Sequence, residues 1–344
     1  NFGAVTGQLN TELYEFCFKN GAKIKEQRNN DGANPLLLVS PFMNDEKLIN
    51  YFAEKGIDVN ETDNNGNGIF NYSAKRGNQK IMNLLIEMGI NYKQNHVNNS
   101  NAMIFASYGT RKFKNTLKTY HYLDSLGIDP KVVTKDGETP LQNLAFKEKN
   151  LDIINYFIKE GASVDQINKE GNNALINACY YNDSSVISLL IKHTSDINHK
   201  NKEGKSALTN SVLRNSFENT ELILKNGGDF KVVDNDGNNL LYYVIQSAKK
   251  SKMQDFSNKF NLFINSGLDP YEKNNNGDNL YHHAVEKNNK DVVKRIAELN
   301  LDINSVNNDG MSALHLAAMK SKDTEIIKLL VDLGANISLE TIFG

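Results

Sequence analysis

The chain has 344 residues, more than one ordinary core accommodates, and its 39% hydrophobic and 23% charged residues are those of a folded chain rather than a disordered one. The net charge of −2, from 39 Lys and Arg against 41 Asp and Glu, provides no global basic field for nucleic acid. Two cysteines, Cys17 and Cys179, exclude a disulfide framework and a Cys-based zinc site, and no run reaches the roughly 18 apolar residues that a membrane-spanning helix needs.

In chain order, the first feature is a helical pattern over 11–20 that ends at Gly21. An Asn/Asp-rich turn then closes on Gly32, and that turn recurs. Its marker residues are Gly32, Gly66, Ser100 in place of glycine, Gly137, Gly171, Gly204, Gly237, Gly277 and Gly310, at intervals of 34, 34, 37, 34, 33, 33, 40 and 33. A period near 33 means a solenoid, in which each unit packs only on its neighbours.

Four residues after each marker stands Leu36, Phe70, Ile104, Leu141, Leu175, Leu208, Leu241, Tyr281 or Leu314. The last unit shows the whole pattern. A short apolar helix over 313–319 precedes a polar break at 320–323. A second helix over 324–333 carries Ile326, Ile327, Leu329, Leu330 and Leu333 on one stripe. The second helices are expected to close on Gly21, Gly56, Gly89, Gly127, Gly161, Gly228, Gly267 and Gly334, because glycine adopts positive φ freely. Thr194 and Asn300 replace glycine in two units. Asn tolerates the left-handed conformation, so Thr194 predicts a different cap.

The intervals of 37 and 40 place extra basic residues between the two helices, over 109–115 and 247–252. They read as solubilising surface insertions, with contact to an acidic partner or a phosphate as the alternative. The pattern gives nine full units, an incomplete one in front and a stub behind. It carries no dedicated polar cap, which leads us to expect a natural chain continuing past one or both ends.

The residues Thr139-Pro140-Leu141 and Ser312-Ala313-Leu314-His315-Leu316-Ala317-Ala318 resemble the T-P-L-H-x-A motif of the ankyrin repeat, with Asn34-Pro35-Leu36, Asn173-Ala174-Leu175 and Ser206-Ala207-Leu208 as looser copies. The motif's histidine reads as surviving in His315, with Gln142, Ile176 and Thr209 elsewhere. The resemblance covers the whole chain and implies an all-α solenoid of helix-turn-helix units with β-turn fingers, a single domain over 1–344.

No phosphate-binding loop, zinc-protease helix, nucleophile elbow or calcium loop is present. The Asn/Asp-rich turns are explained by side chains that bond their own backbone. His282 and His283 point about 100° apart on a helix and read as packing residues rather than joint metal ligands. Cys17 and Cys179 fall at core positions. Asn143, Asn177 and Asn210, each six after a marker, are expected to form a structural hydrogen-bond ladder. No enzyme, cofactor or metal follows from these residues.

What remains is surface. In the ankyrin family, contacts come from the turns and from the exposed end of the first helix. Carried onto this chain, the helix-end positions include Phe42, Arg76, Phe146, Lys147, Tyr180, Tyr181, Leu213 and Arg214. Aromatic and Arg side chains dominate interface energies. Phe146, Tyr180, Tyr181 and Arg214 are therefore expected at the centre of a site for another protein on a concave face. The expectation is a monomeric scaffold that neither binds nucleic acid nor inserts into membranes. The alternative is a regulatory or targeting arm of a larger protein, such as a secreted bacterial effector.

Overall fold

A computed structural model describes residues 11–23, 26, 28–43, 46–93, 96–110, 113–320 and 324–341. Among them the regular elements are helices, and the β-structure is one isolated bridge between Val306 and Ser312. The chain divides into two compact units, Asn1–Lys169 and Glu170–Gly344.

In the first unit, α1 (Thr11–Lys19) is followed by helix pairs: α2 (Pro35–Val39) and α3 (Lys47–Glu54), α4 (Ile69–Ala74) and α5 (Gln79–Glu87), α6 (Ala102–Tyr108) and α7 (Leu117–Ser125), α8 (Pro140–Ala145) and α9 (Leu151–Lys159). A 3-10 turn, Ser40–Phe42, extends α2. First helices pack on first helices, α4 on α6 and α6 on α8. The second unit repeats the plan with α10 (Ala174–Tyr181) and α11 (Ser184–Ile191), α12 (Ala207–Arg214) and α13 (Phe217–Lys225), α14 (Leu240–Ser247) and α15 (Met253–Asn265), α16 (Leu280–Lys287) and α17 (Lys290–Ala297), α18 (Ala313–Lys320) and α19 (Glu325–Asp332). Most first helices are capped by a side chain, those of Asn34, Asn101, Thr139, Asn173, Ser206, Asn239 and Asn279 accepting from backbone N–H groups of the first turn, while α4 follows Gly68 without a side-chain cap.

The turns are hairpin-like and share one geometry. The Gly237 N–H donates to the Asp234 carbonyl at 3.1 Å, and the Asp234 N–H to the Asn238 carbonyl at 3.1 Å. The Asp234 carboxylate accepts the N–H groups of Asp236 and Asn238, each at 2.9 Å. Gly237 has φ +78°, where a Cβ would also meet Asn275 Oδ1 at 2.5 Å. Glycine is thus required both by its own backbone and by the next turn stacked on it.

Turns join through one repeated hydrogen bond. The N–H two residues before a marker donates to the carbonyl one residue before the preceding marker. In the first unit these pairs are Asn64 to Asp31 (2.8 Å), Val97 to Asn65 (2.9 Å) and Lys135 to Asn98 (3.0 Å). In the second they are Lys202 to Glu170, Asn235 to Glu203, Asn275 to Asp236 and Asn308 to Asn276, at 2.9–3.0 Å.

This register corrects the third marker. Asn99, not Ser100, holds the left-handed conformation, with φ +55°, and its N–H closes the turn on the His96 carbonyl at 2.8 Å. Ser100 instead donates through Oγ to Asn67 Oδ1 at 2.8 Å. The intervals on either side of Asn99 become 33 and 38.

A second correction concerns helix ends. Gly56 closes α3 in a Schellman cap, with Gly56 N–H to Ala53 O at 2.8 Å and Ile57 N–H to Phe52 O at 3.0 Å. At α13 the left-handed residue is Gly227, φ +97°, not Gly228. Asn300 takes φ +52° as expected. At Thr194 the cap is indeed different: its N–H bonds the Leu190 carbonyl four residues back at 3.0 Å, and φ is not positive.

Of the nine apolar marker positions, eight are buried. Leu314, in the last described unit with a neighbour on one side only, is half-buried. Cys179 is fully buried, whereas Cys17 is only half-buried, because α1 lies at the edge of the described residues. Of the first insertion, Arg111 and Lys112 lie outside the described residues, as do 321–323 of the last polar break and 342–344. The second insertion goes partly into a 3-10 turn, Lys250–Lys252, and partly into α15, which has 13 residues where its counterpart α13 has 9. In α15 the fully buried Lys259 donates through Nζ to the carbonyls of Val212 (3.1 Å) and Asn215 (2.5 Å) at the C-terminal end of α12, and pairs with Asp255 at 2.8 Å.

Leu208→Ala, at a side chain that is 1% exposed, is expected to cost about 2–5 kcal/mol. Gly237→Ala is expected to cost at least ~1–2 kcal/mol from the left-handed backbone alone, while Asn99→Gly is neutral or stabilising. Denaturant unfolding of the three variants checks the register directly.

Candidate functional site

The helix-end residues singled out by position occupy two places, one in each unit. In the first unit, Phe42 sits in the 3-10 turn after α2 and Arg76 just beyond α4. The Arg76 guanidinium lies 5.9 Å from the Phe42 ring centroid and 4.2 Å from that of Phe113. Phe113 is 43% exposed and comes from the first insertion. Sequence position did not point to it, because it has no counterpart in the other repeats. A cation held by two ring faces is attracted by their quadrupoles. Phe146 and Lys147, past the end of α8, are exposed, and Lys114 Nζ from the same insertion donates to the Lys147 carbonyl at 2.8 Å.

In the second unit, Tyr181 is 57% exposed and Tyr180 half-buried, their ring centroids 5.9 Å apart. The exposed Arg214, at the end of α12, places its guanidinium 5.9 Å from the Tyr180 ring. Leu213 is half-buried beside it. Phe146 belongs to the first unit, so of the four residues expected at the centre, Tyr180, Tyr181 and Arg214 are brought together within one unit. The other described arginines differ in having carboxylate partners: Arg28 pairs with Glu61, and Arg295, whose guanidinium also lies 5.1 Å from the Phe260 ring, pairs with Glu298.

Between turns and first helices of the first unit runs a groove of about 260 Å³. Its polar lining is internally satisfied. Tyr72 donates to Asp63 Oδ2 at 3.0 Å, Tyr108 donates to Glu138 Oε2 at 2.7 Å, and the Lys75 ammonium lies 4.9 Å from the Tyr72 ring and 5.2 Å from the Phe105 ring. Burial lowers the Lys75 pKa and raises that of Tyr72. The Asp63–Tyr72 clamp recurs as Asp234–Tyr243 in the second unit, at the same nine-residue separation.

Other polar residues noted in the sequence are structural. Asn143 reaches back to Ser107 Oγ at 3.0 Å and Asn210 to the Ile176 carbonyl at 3.4 Å, each one repeat earlier. Burial pushes the Cys179 thiol pKa up, away from thiolate. No group of His, Cys, Asp and Glu among the described residues could hold a metal ion.

His282 performs the task that the sequence credited to His315 alone. His315 Nδ1 accepts the Ser312 N–H at 3.0 Å, and its Nε2 donates to the Leu339 carbonyl at 2.9 Å. His282 Nδ1 accepts the Asn279 N–H at 3.3 Å, and its Nε2 donates to the Met311 carbonyl at 2.9 Å. Gln142 imitates both bonds, with Oε1 on the Thr139 N–H and Nε2 on the Gln166 carbonyl. The signal was present, since His282 stands five residues after Gly277 as His315 does after Gly310.

Comparison with known proteins agrees with this geometry. Residues 103–201 and 252–341, together more than half of the chain, match the family model described as "Ankyrin repeats (3 copies)", and residues 38–86 match "Ankyrin repeats (many copies)". Over 60 residues the chain is 37% identical to an ankyrin repeat protein of fowlpox virus (strain NVSL). That stretch is 17% of this chain and 14% of the viral protein.

His282 yields a pH dependence. Burial lowers its pKa in the folded state, so the unfolded chain binds the proton first. The stability it contributes is therefore fully present above the unfolded value near 6.5 and is lost progressively as pH falls below that value and through the lower folded one. Unfolding followed from pH 7.5 to 5.5 should show stability falling, and His282→Gln, which keeps both bonds as Gln142 does, should flatten that slope.

Proposed function

The chain belongs to the ankyrin-repeat family, whose repeats are generally protein-protein interaction modules without catalysis of their own, and from that premise we propose that it is a scaffold that holds a partner protein at the ends of its first helices. The observation that carries this reading is the arginine pairing. Arg76 and Arg214 lie over aromatic rings at helix ends with no carboxylate partner among the described residues, whereas Arg28 pairs with Glu61, and Arg295, 5.1 Å from the Phe260 ring, pairs with Glu298. A stacked guanidinium is held in place by the ring and keeps its N–H donors for an incoming carbonyl or carboxylate. Neighbouring Tyr181 adds exposed aromatic surface, which binds with little loss of side-chain freedom.

The chemistry of the rest supports binding rather than turnover. The one fully buried thiol is held protonated, and the paired buried polar groups hold turns together. In this reading Phe42, Arg76, Phe146 and Lys147 serve the first unit, and Tyr180, Tyr181, Leu213 and Arg214 the second.

Affinity capture with the 344-residue chain, comparing it with Tyr180→Ala/Tyr181→Ala, tests the proposal. A protein retained by the parent chain and lost from the double variant, with the thermal midpoint nearly unchanged, is the expected result. A large drop in thermal midpoint would make the tyrosines core residues and overturn their role in binding.

A further inference from the structure

Charge in the second unit is sorted by position within the repeat. The residue just before the marker glycine is acidic in Glu170, Glu203, Asp236 and Asp309, all exposed at the turn tips. The residue ten after the marker, at the opposite end of the first helix, is basic in three repeats, Arg214, Lys287 and Lys320, and uncharged in Tyr181 and Ser247. The second insertion adds the exposed Lys249, Lys250 and Lys252 at that same helix-end edge, between α14 and α15. Lys287 Nζ reaches over to the Gln246 carbonyl at 2.5 Å, which brings it beside the insertion. After burial, repulsion from Lys249 and Arg214 further lowers the Lys287 pKa, as expected of cations that share one neighbourhood.

Some carboxylates near this edge are turned to internal duties, while Glu218 and Asp291, in the first turns of α13 and α17, are exposed. Asp255 pairs with Lys259 and accepts the Phe217 N–H, and Asp183 caps α11 through the Val186 N–H. Glu286 is spent on Lys320; Arg214, Lys249, Lys250 and Lys252 are exposed, and Lys287, half-buried with its ammonium on the Gln246 carbonyl, lies beside them.

We propose that the edge formed by Arg214, Lys287 and the Lys249–Lys250–Lys252 insertion docks an acidic, Asp/Glu-rich segment of the partner protein. This rests on the protein-binding reading and specifies its chemistry. Charge complementarity identifies the occupant. A carboxylate accepts the forked donors of Arg214 and the point charges of the lysines. The net charge of −2 adds no general attraction for a broad polyanion such as nucleic acid. The tyrosines beside Arg214 offer apolar surface that a peptide can cover.

The test is fluorescence anisotropy of a labelled Glu/Asp-rich peptide with the 344-residue chain, using a Lys-rich peptide of equal length as control. The acidic peptide should bind at low salt and weaken about tenfold or more toward ~0.3 M salt. Lys249→Glu/Lys250→Glu/Lys252→Glu should abolish binding, the corresponding Gln variant should weaken it, and Glu203→Lys/Asp236→Lys should leave it at least as tight. No binding of the acidic peptide at low salt would overturn the proposal, as would equal binding by the triple Glu variant. Tighter binding to a single-stranded oligonucleotide or to phosphatidylserine vesicles, with the same lysine dependence, would also overturn it. In the capture experiment, a partner lost with Tyr180→Ala/Tyr181→Ala but kept by the triple Glu variant would remove this assignment and leave protein binding standing.

Discussion

Within each unit, a turn hangs on the one before it by a single backbone hydrogen bond, from the N–H two residues before a marker to the carbonyl one residue before the previous marker. The carbonyl-bearing residue sits next to a residue with positive φ, and at several markers the next turn comes so close that a Cβ has no room. At Gly204, Gly237 and Gly277 an added Cβ would lie 2.5–2.7 Å from an Asn Oδ1 of the following turn. In the second unit the same asparagines extend the contact, with Asn235, Asn275 and Asn308 each donating through Nδ2 to the preceding turn. Short helices of 5–9 residues cannot hold themselves in water. They persist because the turns set the spacing at which first helices pack on first helices.

From that spacing the surface follows. With the turn fixed at one end of each first helix, the residue ten positions on is delivered to the other end in every repeat. Arg76 and Arg214 arrive there beside rings supplied by the preceding repeat, Phe42 and Tyr180. The two sets of charges, acidic at the turn tips and basic at the helix ends, are a product of period as much as of composition. Binding specificity in such a protein is a matter of which side chains fill equivalent positions, while the polar interior stays devoted to the frame.

Much of this was legible in the sequence, and the exceptions have particular causes. The repeat, the helix pairs and the buried positions such as Leu141 and Leu208 follow from periodic glycine and apolar residues. The third marker was misplaced by one because Asn98, Asn99 and Ser100 are all turn formers and both Met103 and Ile104 are buried, so hydrophobic phase could not choose between registers. Gly227 and Gly228 are adjacent and identical in type; only backbone conformation separates them. Lys259 stands in a stripe with Phe256, Phe260 and Phe263, and its burial depends on carbonyls from another helix that no local pattern reveals. Phe113 joined the candidate surface because an insertion, which has no equivalent elsewhere, folded it over Arg76.

The central claim is that the turn-to-turn hydrogen bonds are the frame, and native-state hydrogen exchange reads it most directly. The amides of Asn235, Asn275 and Asn308, which lie in loops near exposed tips, should exchange as slowly as those inside α12, α14 and α16. If they exchange at the rate of unstructured loops while the helices stay protected, helix packing alone sets the repeat and the turns only decorate it.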